Sequence, residues 1–309
     1  KRKSNFIVLV EYIGGIHADY KAPIFAKEPK IDRQNFYILW KNVKAKLPHH
    51  DLLMLNDQPE KIGDLINPFV KYLRVKLKTT ASHHNIEGDW NNFYNEKLKK
   101  RIRLDSKRCI RNLEKIGKLK FKVSKKITES VEIIEKMIQQ KRKRYKETGL
   151  SDLLSQSENR DFYLSLPYVE NSSINFHFSS LSINKIIIAT HVGFIFNNCF
   201  YYLMPANEFG DWKKFSPGRL LLEKLFEQSF MEKNDVFDFT VGGESYKQYW
   251  CNQTIGIYNY NKAATIKGHL YSLIEIFKRK FIYTEFNINF IRKIRKYIHG
   301  LLKKNIEKF

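Results

Sequence analysis

Residues 174–204 read INFHFSSLSINKIIIATHVGFIFNNCFYYLM, and this stretch decides the fold. Residues 174–181 alternate apolar and polar side chains, as a half-buried strand does. A turn over Ser182–Asn184 leads into a second apolar run, residues 185–196. Asn197-Asn198, a hairpin-type dipeptide, then joins it to a third run, residues 199–204. Downstream, a polar loop reaches Ser216-Pro217-Gly218 and opens a helix to about Glu232, with Leu222, Leu225, Phe226 and Phe230 on one face. Next come a strand over 235–240, a short helix near 245–250 and a strand over 254–260. Upstream, residues 119–123 (LKFKV) alternate, residues 128–145 are helical through Val131, Ile134, Met137 and Ile138, and a second helix fits near 161–169. The order β-α-α-β-β-β-α-β-α-β predicts an α/β protein of the α+β kind, with a mixed sheet rather than a doubly wound parallel one.

The rest of the chain is less regular. Residues 6–10 (FIVLV), 51–55 (DLLML) and 75–80 read as strands, and the Pro23 stretch, 20–25, as a loop. Ile31, Phe36, Leu39, Trp40 and Val43 have helical spacing, and Pro48 ends that helix. Pro68 interrupts residues 62–72, which suggests a short helix or turn. Residues 93–118 form a basic helix with an interrupted apolar stripe (Leu98, Ile102, Cys109, Ile110, Leu113), stopped by Gly117. Residues 284–309 form a basic amphipathic helix. Its apolar face (Phe290, Ile291, Ile294, Tyr297, Ile298, Leu301, Leu302) lies opposite Arg292, Lys293, Arg295 and Lys296.

Composition narrows the function. The 309 residues carry 55 Lys+Arg against 32 Asp+Glu, a net charge of +23. Such a field attracts anions: nucleic acid, anionic lipid headgroups, phosphorylated cofactors or acidic glycans. Fourteen of the cations fall between Lys97 and Lys126, against only Asp105 and Glu114. That run is either a solvated helix face or an anion-facing helix at a domain junction. Three scattered cysteines, Cys109, Cys199 and Cys251, exclude a disulfide framework and a cysteine-rich zinc site and fit a reducing cytoplasm. His49-His50 and His83-His84 lack zinc spacing and read as surface, so no metal is expected. No run of eighteen apolar residues exists to span a membrane. There is no Walker P-loop, GxSxG or HExxH. A first residue of Lys suggests that the chain begins inside a longer protein.

Two segments can carry chemistry. In residues 213–222 (KKFSPGRLLL), Ser216 suits an N-cap, Pro217 the first helical position, and Gly218 allows close approach to the backbone. Free amides and the helix dipole make such an end an anion site, with Arg219, Lys213 and Lys214 adding charge; plain capping explains the same residues. In residues 237–250 (FDFTVGGESYKQYW), a strand ends in Gly242-Gly243 and Tyr246-Lys247 open the next helix. Tyr can protonate a leaving group and Lys can neutralise a phosphate or developing oxyanion. The alternative is a glycine turn with Tyr246 and Trp250 in the core. His191, within the middle strand, is either a structural histidine or a base.

These segments together resemble the GNAT fold of acyl-CoA N-acyltransferases, in particular its cellulose- and exopolysaccharide-biosynthesis type acetyltransferase family. That family carries an Arg-rich helix, a sPGxLL loop and a DFxxGxxxYKxxW segment. The matching residues are 98–121, then Ser216, Pro217, Gly218 and Leu221, then Asp238, Phe239, Gly242, Tyr246, Lys247 and Trp250; Pro205 and Ala206 also fit. More distantly the chain resembles tandem-GNAT peptidyltransferases that use aminoacyl-tRNA. The resemblance implies two GNAT-like lobes: a degenerate one over 1–92, a basic connecting helix over 93–118, the acyltransferase domain over 119–266 and a helical tail over 267–309.

The resemblance further implies an acyltransferase that moves an acyl group to an amine or hydroxyl of a cell-surface glycan precursor, with acetyl-CoA as donor and no metal. Its diphosphate would rest on Ser216, Pro217, Gly218, Arg219 and Leu220, with Leu203 and Met204 polarising the thioester. Tyr246, Lys247, His191 and Asp238 would be catalytic, and Arg101, Arg108, Gly242 and Trp250 would contact substrate. Phe215 and Leu220 depart from the Gln/Arg and Gly/Ala common at their positions, which points to an altered coenzyme A pocket. Aminoacyl transfer from charged tRNA is a second reading. A silent scaffold binding an anionic polymer or a membrane is a third. The 284–309 helix would place the protein peripherally on the inner membrane surface, or pack as an ordinary terminal helix.

Overall fold

The computed structural model describes residues 2–4, 7–25, 31–170 and 173–282. The helix expected over 284–309 lies outside the described residues. In chain order the strands are β1 (Arg2–Ser4), β2 (Ile7–Glu11), β3 (Leu52–Pro59), β4 (Lys61–Ile62), β5 (Leu65–Ile66), β6 (Lys76–Asn85), β7 (Leu119–Val123), β8 (Ile174–Ile183), β9 (Ile186–Phe196), β10 (Cys199–Asn207), β11 (Val236–Val241) and β12 (Gln253–Ala263). The α-helices are α1 (Arg33–Lys46), α2 (Pro68–Tyr72), α3 (Trp90–Asn92), α4 (Lys100–Glu114), α5 (Ile127–Thr148), α6 (Ser157–Ser165), α7 (Pro217–Met231) and α8 (Ile266–Ile282). The mixed α/β class expected from the sequence is the one observed.

The chain divides into two compact units. One comprises residues up to 81, 241–243 and those from 254; the other comprises 82–240 and 244–253. In the first, β2 runs parallel to β3, and β1 and β12 add antiparallel to β2 and β3 respectively. Asp32 caps α1 by accepting from the Asn35 amide at 2.7 Å, and the helix stops at Lys46, short of Pro48. Phe36 and Trp40 of α1 then pack with Leu53, Leu55, Phe69 and Tyr260. Pro68 does not interrupt a helix: it opens α2, where its missing N–H costs nothing, after the Asn67 cap.

In the second unit β7, β8, β9 and β10 form an antiparallel meander, and β11 joins β10 in parallel. Asn197 and Asn198 take φ of 47° and 58°, the left-handed pair that a two-residue hairpin needs. Helix α5 buries Ile133, Ile134, Met137 and Ile138 against Phe178, Val192 and Ala206. Helix α7 buries Leu221, Leu225, Phe226 and Phe230 against Phe200, Tyr202, Phe237 and Phe239, with Cys109 and Leu113 of α4 in the same cluster. Each such side chain contributes about 1.5–3 kcal/mol when fully buried. The basic helix expected over 93–118 is two pieces: a π-helical turn, Phe93–Lys97, and α4, with Leu98 extended between them. Leu98 is buried in the core, and turning it inward is what breaks the helix.

Candidate active site

The parallel pair β10–β11 is short. Cys199, Phe200 and Tyr201 face Val236, Phe237 and Asp238, and beyond them no pair joins the two strands among the described residues. On its other edge β10 slips register against β9: Tyr201 faces Phe194 and Met204 faces Val192. Tyr202 and Leu203 therefore oppose Gly193 alone, which is a β-bulge. A Cβ on Gly193 would sit 2.2 Å from the Tyr201 carbonyl oxygen, so only glycine fits there. The extra residue reverses the strand's faces: Phe200 and Tyr202 pack with α7, whereas Met204 and Ala206 pack with α5. Leu203, half-buried, lies where the ladder is interrupted, and the two strands part at the same level.

Helix α7 begins beside the far end of β10, since a Cβ on Gly218 would lie 2.8 Å from Asn207 Oδ1. Ser216 does not cap it through its side chain. It adopts φ 48°, ψ 51°, left-handed backbone, and makes no side-chain cap bond. Its carbonyl accepts from Arg219 and Leu220 at 3.0 and 3.2 Å instead. Pro217 has no N–H, and the Gly218 amide has no backbone acceptor among the described residues. Phe215 and Leu220, the two departures from the common GNAT pattern, are buried in the core. The expected cationic rim is altered. Arg219 Nη2 pairs with Asp105 at 2.6 Å, and Arg108 Nη2 takes the same carboxylate at 2.5 Å. Two residues expected to bind anions thus share one acid. Arg101, Lys213 and Lys214 are exposed.

At the exit of β11 the backbone is strained. Thr240 has φ 57°, costly for a β-branched residue. The Asp238 carboxylate accepts from the Thr240 amide at 2.6 Å and holds the turn. The Thr240 carbonyl then accepts from Lys247 Nζ at 3.4 Å, and Glu244 pairs with the same ammonium at 2.9 Å. Lys247 is only 4% exposed. Burial would raise the Glu244 carboxyl, but the Lys247 hydrogen bond and the charges of Lys247 and Lys141 outweigh it and hold it low. Burial, followed by the Glu244 charge, raises the Tyr246 phenol, so it carries its proton at neutral pH. The Tyr202 phenol of β10 is raised by burial and then by the charges of Tyr246 and Glu244.

Two expected site residues are sealed in the core. His191 is 0% exposed and lies 4.8 Å from the Tyr202 ring, stacked at 8°. Burial, then the charges of His177 and Lys141, hold its imidazole well below the usual value. A histidine so enclosed and so weakly basic has no route to an incoming amine, which corrects its expected role as base. Trp250, expected on substrate, is 2% exposed and packs on Phe226 at 5.3 Å. Gly242 belongs to the first unit, where its amide donates to the Thr80 carbonyl at 3.2 Å, and so falls in a different unit from Tyr246 and Lys247.

Sequence reasoning misses Thr240, Glu244, Asp105 and Lys141. Glu244 is legible as an i,i+3 partner of Lys247, and Asp105 as one of two acids in a basic run. Thr240 carries no signal, because its strain is imposed by the turn into which it leads. Lys141 also carries none. Burial, then the Arg144 charge, lower its ammonium to about 8 against the pull of Glu244. Among the described residues no group of three His, Cys, Asp or Glu could hold a metal, and no helix is long and apolar enough to cross a membrane.

A parallel strand pair that parts at a bulge, followed by a helix whose amino end is open, defines the acyl-CoA N-acyltransferase type of domain. Residues 100–248 match the family model for the acetyltransferase (GNAT) domain. Among solved structures the chain is similar to FemX, at 12% identity over 83% of this chain and 82% of that one, with a TM-score of 0.54. It is also similar to the C-terminal domain of a putative lysylphosphatidylglycerol synthetase from Agrobacterium fabrum, at 10% identity over 80% and 79%, with a TM-score of 0.51. At these identities the likeness concerns the fold. No curated protein matches the chain in sequence.

Proposed function

We propose that this GNAT-fold acyltransferase takes its acyl group from a coenzyme A thioester, acetyl-CoA above all, and passes it to an amine or hydroxyl of a glycan precursor. The separation of β10 from β11 beyond Tyr201 and Asp238 carries this reading. It opens backbone groups at Leu203 and Met204 to a thioester carbonyl, while the amino end of α7 offers the Gly218 amide and its dipole to the donor diphosphate. The acceptor nitrogen or oxygen attacks the carbonyl carbon, the C–S bond breaks, and the thiolate takes a proton from Tyr246. Water removes the acceptor's proton. Lys247, fixed by Thr240 and Glu244, stabilises the developing oxyanion. Holding acceptor and thioester together supplies an effective molarity of about 10⁵ M or more. The glycan acceptor rests on the resemblance to the exopolysaccharide-type family. The tandem-lobe division, with the transferase over 119–266, belongs to the same reading.

Calorimetric titration with acetyl-CoA tests it. Gly218→Asp sets a carboxylate against the diphosphate and crowds Asn207, and should weaken binding by about tenfold or more. No binding of any acyl-CoA by the unmodified protein removes the reading.

One observation favours aminoacyl transfer from charged tRNA as a second reading. Lys100, Arg101, Lys107, Arg111, Lys115 and Lys118 are all exposed along α4 and its continuation. Phosphate contacts from such a row make binding fall steeply with salt. This reading requires preference for aminoacylated over bare tRNA. No turnover with either donor would leave only a scaffold for an anionic polymer.

A further inference from the structure

Helix α8 follows β12 in the first unit and is pinned at its start. The Thr265 hydroxyl donates to Asp51 Oδ1 at 2.6 Å and accepts from the Gly268 amide at 3.2 Å, and the Ala264 amide donates to the Asp51 carbonyl at 2.8 Å. Gly268 lies so close to that carbonyl that a Cβ would overlap it. Tyr271 then packs with Ile7, Leu9 and Leu52. One face of the helix is thereby fixed to the sheet.

The opposite face has no cover among the described residues. Ile266, Leu270, Leu273 and Ile274 are 88%, 60%, 56% and 44% exposed. By helical spacing these four fall within about 100° of the circumference, facing away from Gly268, Tyr271 and Ser272. A helix held on a sheet by one face ordinarily turns polar side chains to water. Here the outward stripe is aliphatic, and the exposed Lys267 and His269 border it, one at each edge.

Charge selects what covers it. From Ile266 to Phe309 the sequence holds eleven Lys+Arg against three acids, Glu275, Glu285 and Glu307. A second copy of the chain would bring the same excess of cations to the contact, which opposes self-association through this face. An anionic surface is attracted instead. Nucleic acid offers phosphates and bases, and aliphatic side chains neither pair with the one nor give the aromatic stacking that holds the other. An anionic bilayer meets both halves of the face, with headgroup charge for the cations and acyl chains for the stripe. No helix among the described residues is long and apolar enough to cross a bilayer, so α8, with 17 residues, would lie along one.

We propose that α8 docks the protein on an anionic lipid bilayer, with Ile266, Leu270, Leu273 and Ile274 among the acyl chains and Lys267 at the headgroups. The inference stands apart from the acyl-transfer reading, because none of these residues belongs to the proposed donor site. It assigns the membrane contact to α8, whose exposed face is observed, and not to residues 284–309 alone.

Sedimentation of the full chain with vesicles tests it, using mixed phosphatidylglycerol and phosphatidylcholine against phosphatidylcholine alone. The anionic vesicles should bind at least about tenfold more tightly, and high salt should shrink the difference. Leu270→Gln/Leu273→Gln keeps the charge and the helix propensity and should weaken anionic-vesicle binding by about tenfold or more. Leu273→Trp should add emission, relative to the unmodified chain, that moves to the blue on anionic vesicles and is quenched by brominated acyl chains. The urea midpoint should be unchanged in both variants, since the substituted side chains are exposed. No binding of the unmodified chain to anionic vesicles, or unchanged binding in Leu270→Gln/Leu273→Gln, would overturn the proposal. So would a solution dimer that this variant dissociates, which gives the face to a second copy, or an equal loss of poly(A) binding in the same variant, which gives it to nucleic acid.

Discussion

The amino end of α7 and the exit of β11 belong to one acyltransferase domain and are built in opposite ways. At α7 the parts proposed to hold the donor are backbone: a left-handed Ser216, a proline without an N–H and an uncommitted Gly218 amide. The side chains there are already spent, with Arg219 and Arg108 both on Asp105. At β11 the parts proposed to act are side chains, and a strained Thr240, held by Asp238, anchors Lys247. A binding end can be made from main chain alone. An end that must direct a proton and a charge needs side chains locked by their neighbours.

The largest effect should fall on the buried histidines of the second unit, which carries both ends. Burial lowers His84 and His177 to about 4 and holds His191 well below its usual value. The unfolded chain binds these protons near pH 6.5, whereas the folded chain binds them only at lower pH. Their stabilisation is therefore complete above pH 6.5 and is lost as pH falls through 4. Urea titrations from pH 7 to 4 should show a falling midpoint, and His177→Asn should flatten that slope.

Lys247→Met keeps the buried volume and removes the ammonium. Turnover should drop by about a hundredfold or more, while acetyl-CoA affinity stays within about threefold; steady-state kinetics beside calorimetry will separate the two. Equal losses in both would erase the distinction between the two ends. Thr240→Gly relieves the positive φ, but glycine's extra unfolded-chain entropy and the loss of a buried side chain offset that relief, so the denaturant midpoint should move little while kcat falls, because the carbonyl that anchors Lys247 is no longer held. His191→Phe should leave kcat within about threefold, since the ring serves as packing. A collapse of kcat in a folded His191→Phe protein, read by its pH profile, would restore the base role.

The α7 end is legible in the sequence because its signals are local. Ser-Pro-Gly before a leucine run, and Asn-Asn between two strands, fix turns over a few residues. Its details are not legible. Ser216 suggests a side-chain cap, yet the residue turns left-handed and leaves the capping to its carbonyl. The bulge at Tyr202–Leu203 is hidden because the run 199–204 reads equally well as one regular strand; only Gly193 across the ladder reveals the close approach. The basic helix breaks at Leu98, where burial in the core outweighs helical continuity. His191 and Trp250 invite a reading from their chemistry, and packing decides their place.

Where a donor sits on the protein is the most direct test of the proposed site. A crystal structure of the chain with acetyl-CoA should show the diphosphate against the Gly218 amide at the start of α7, and the pantetheine passing between β10 and β11 with the thioester carbonyl near Leu203. Density for the donor elsewhere, or β10 and β11 closed on each other with no pantetheine between them, would contradict it.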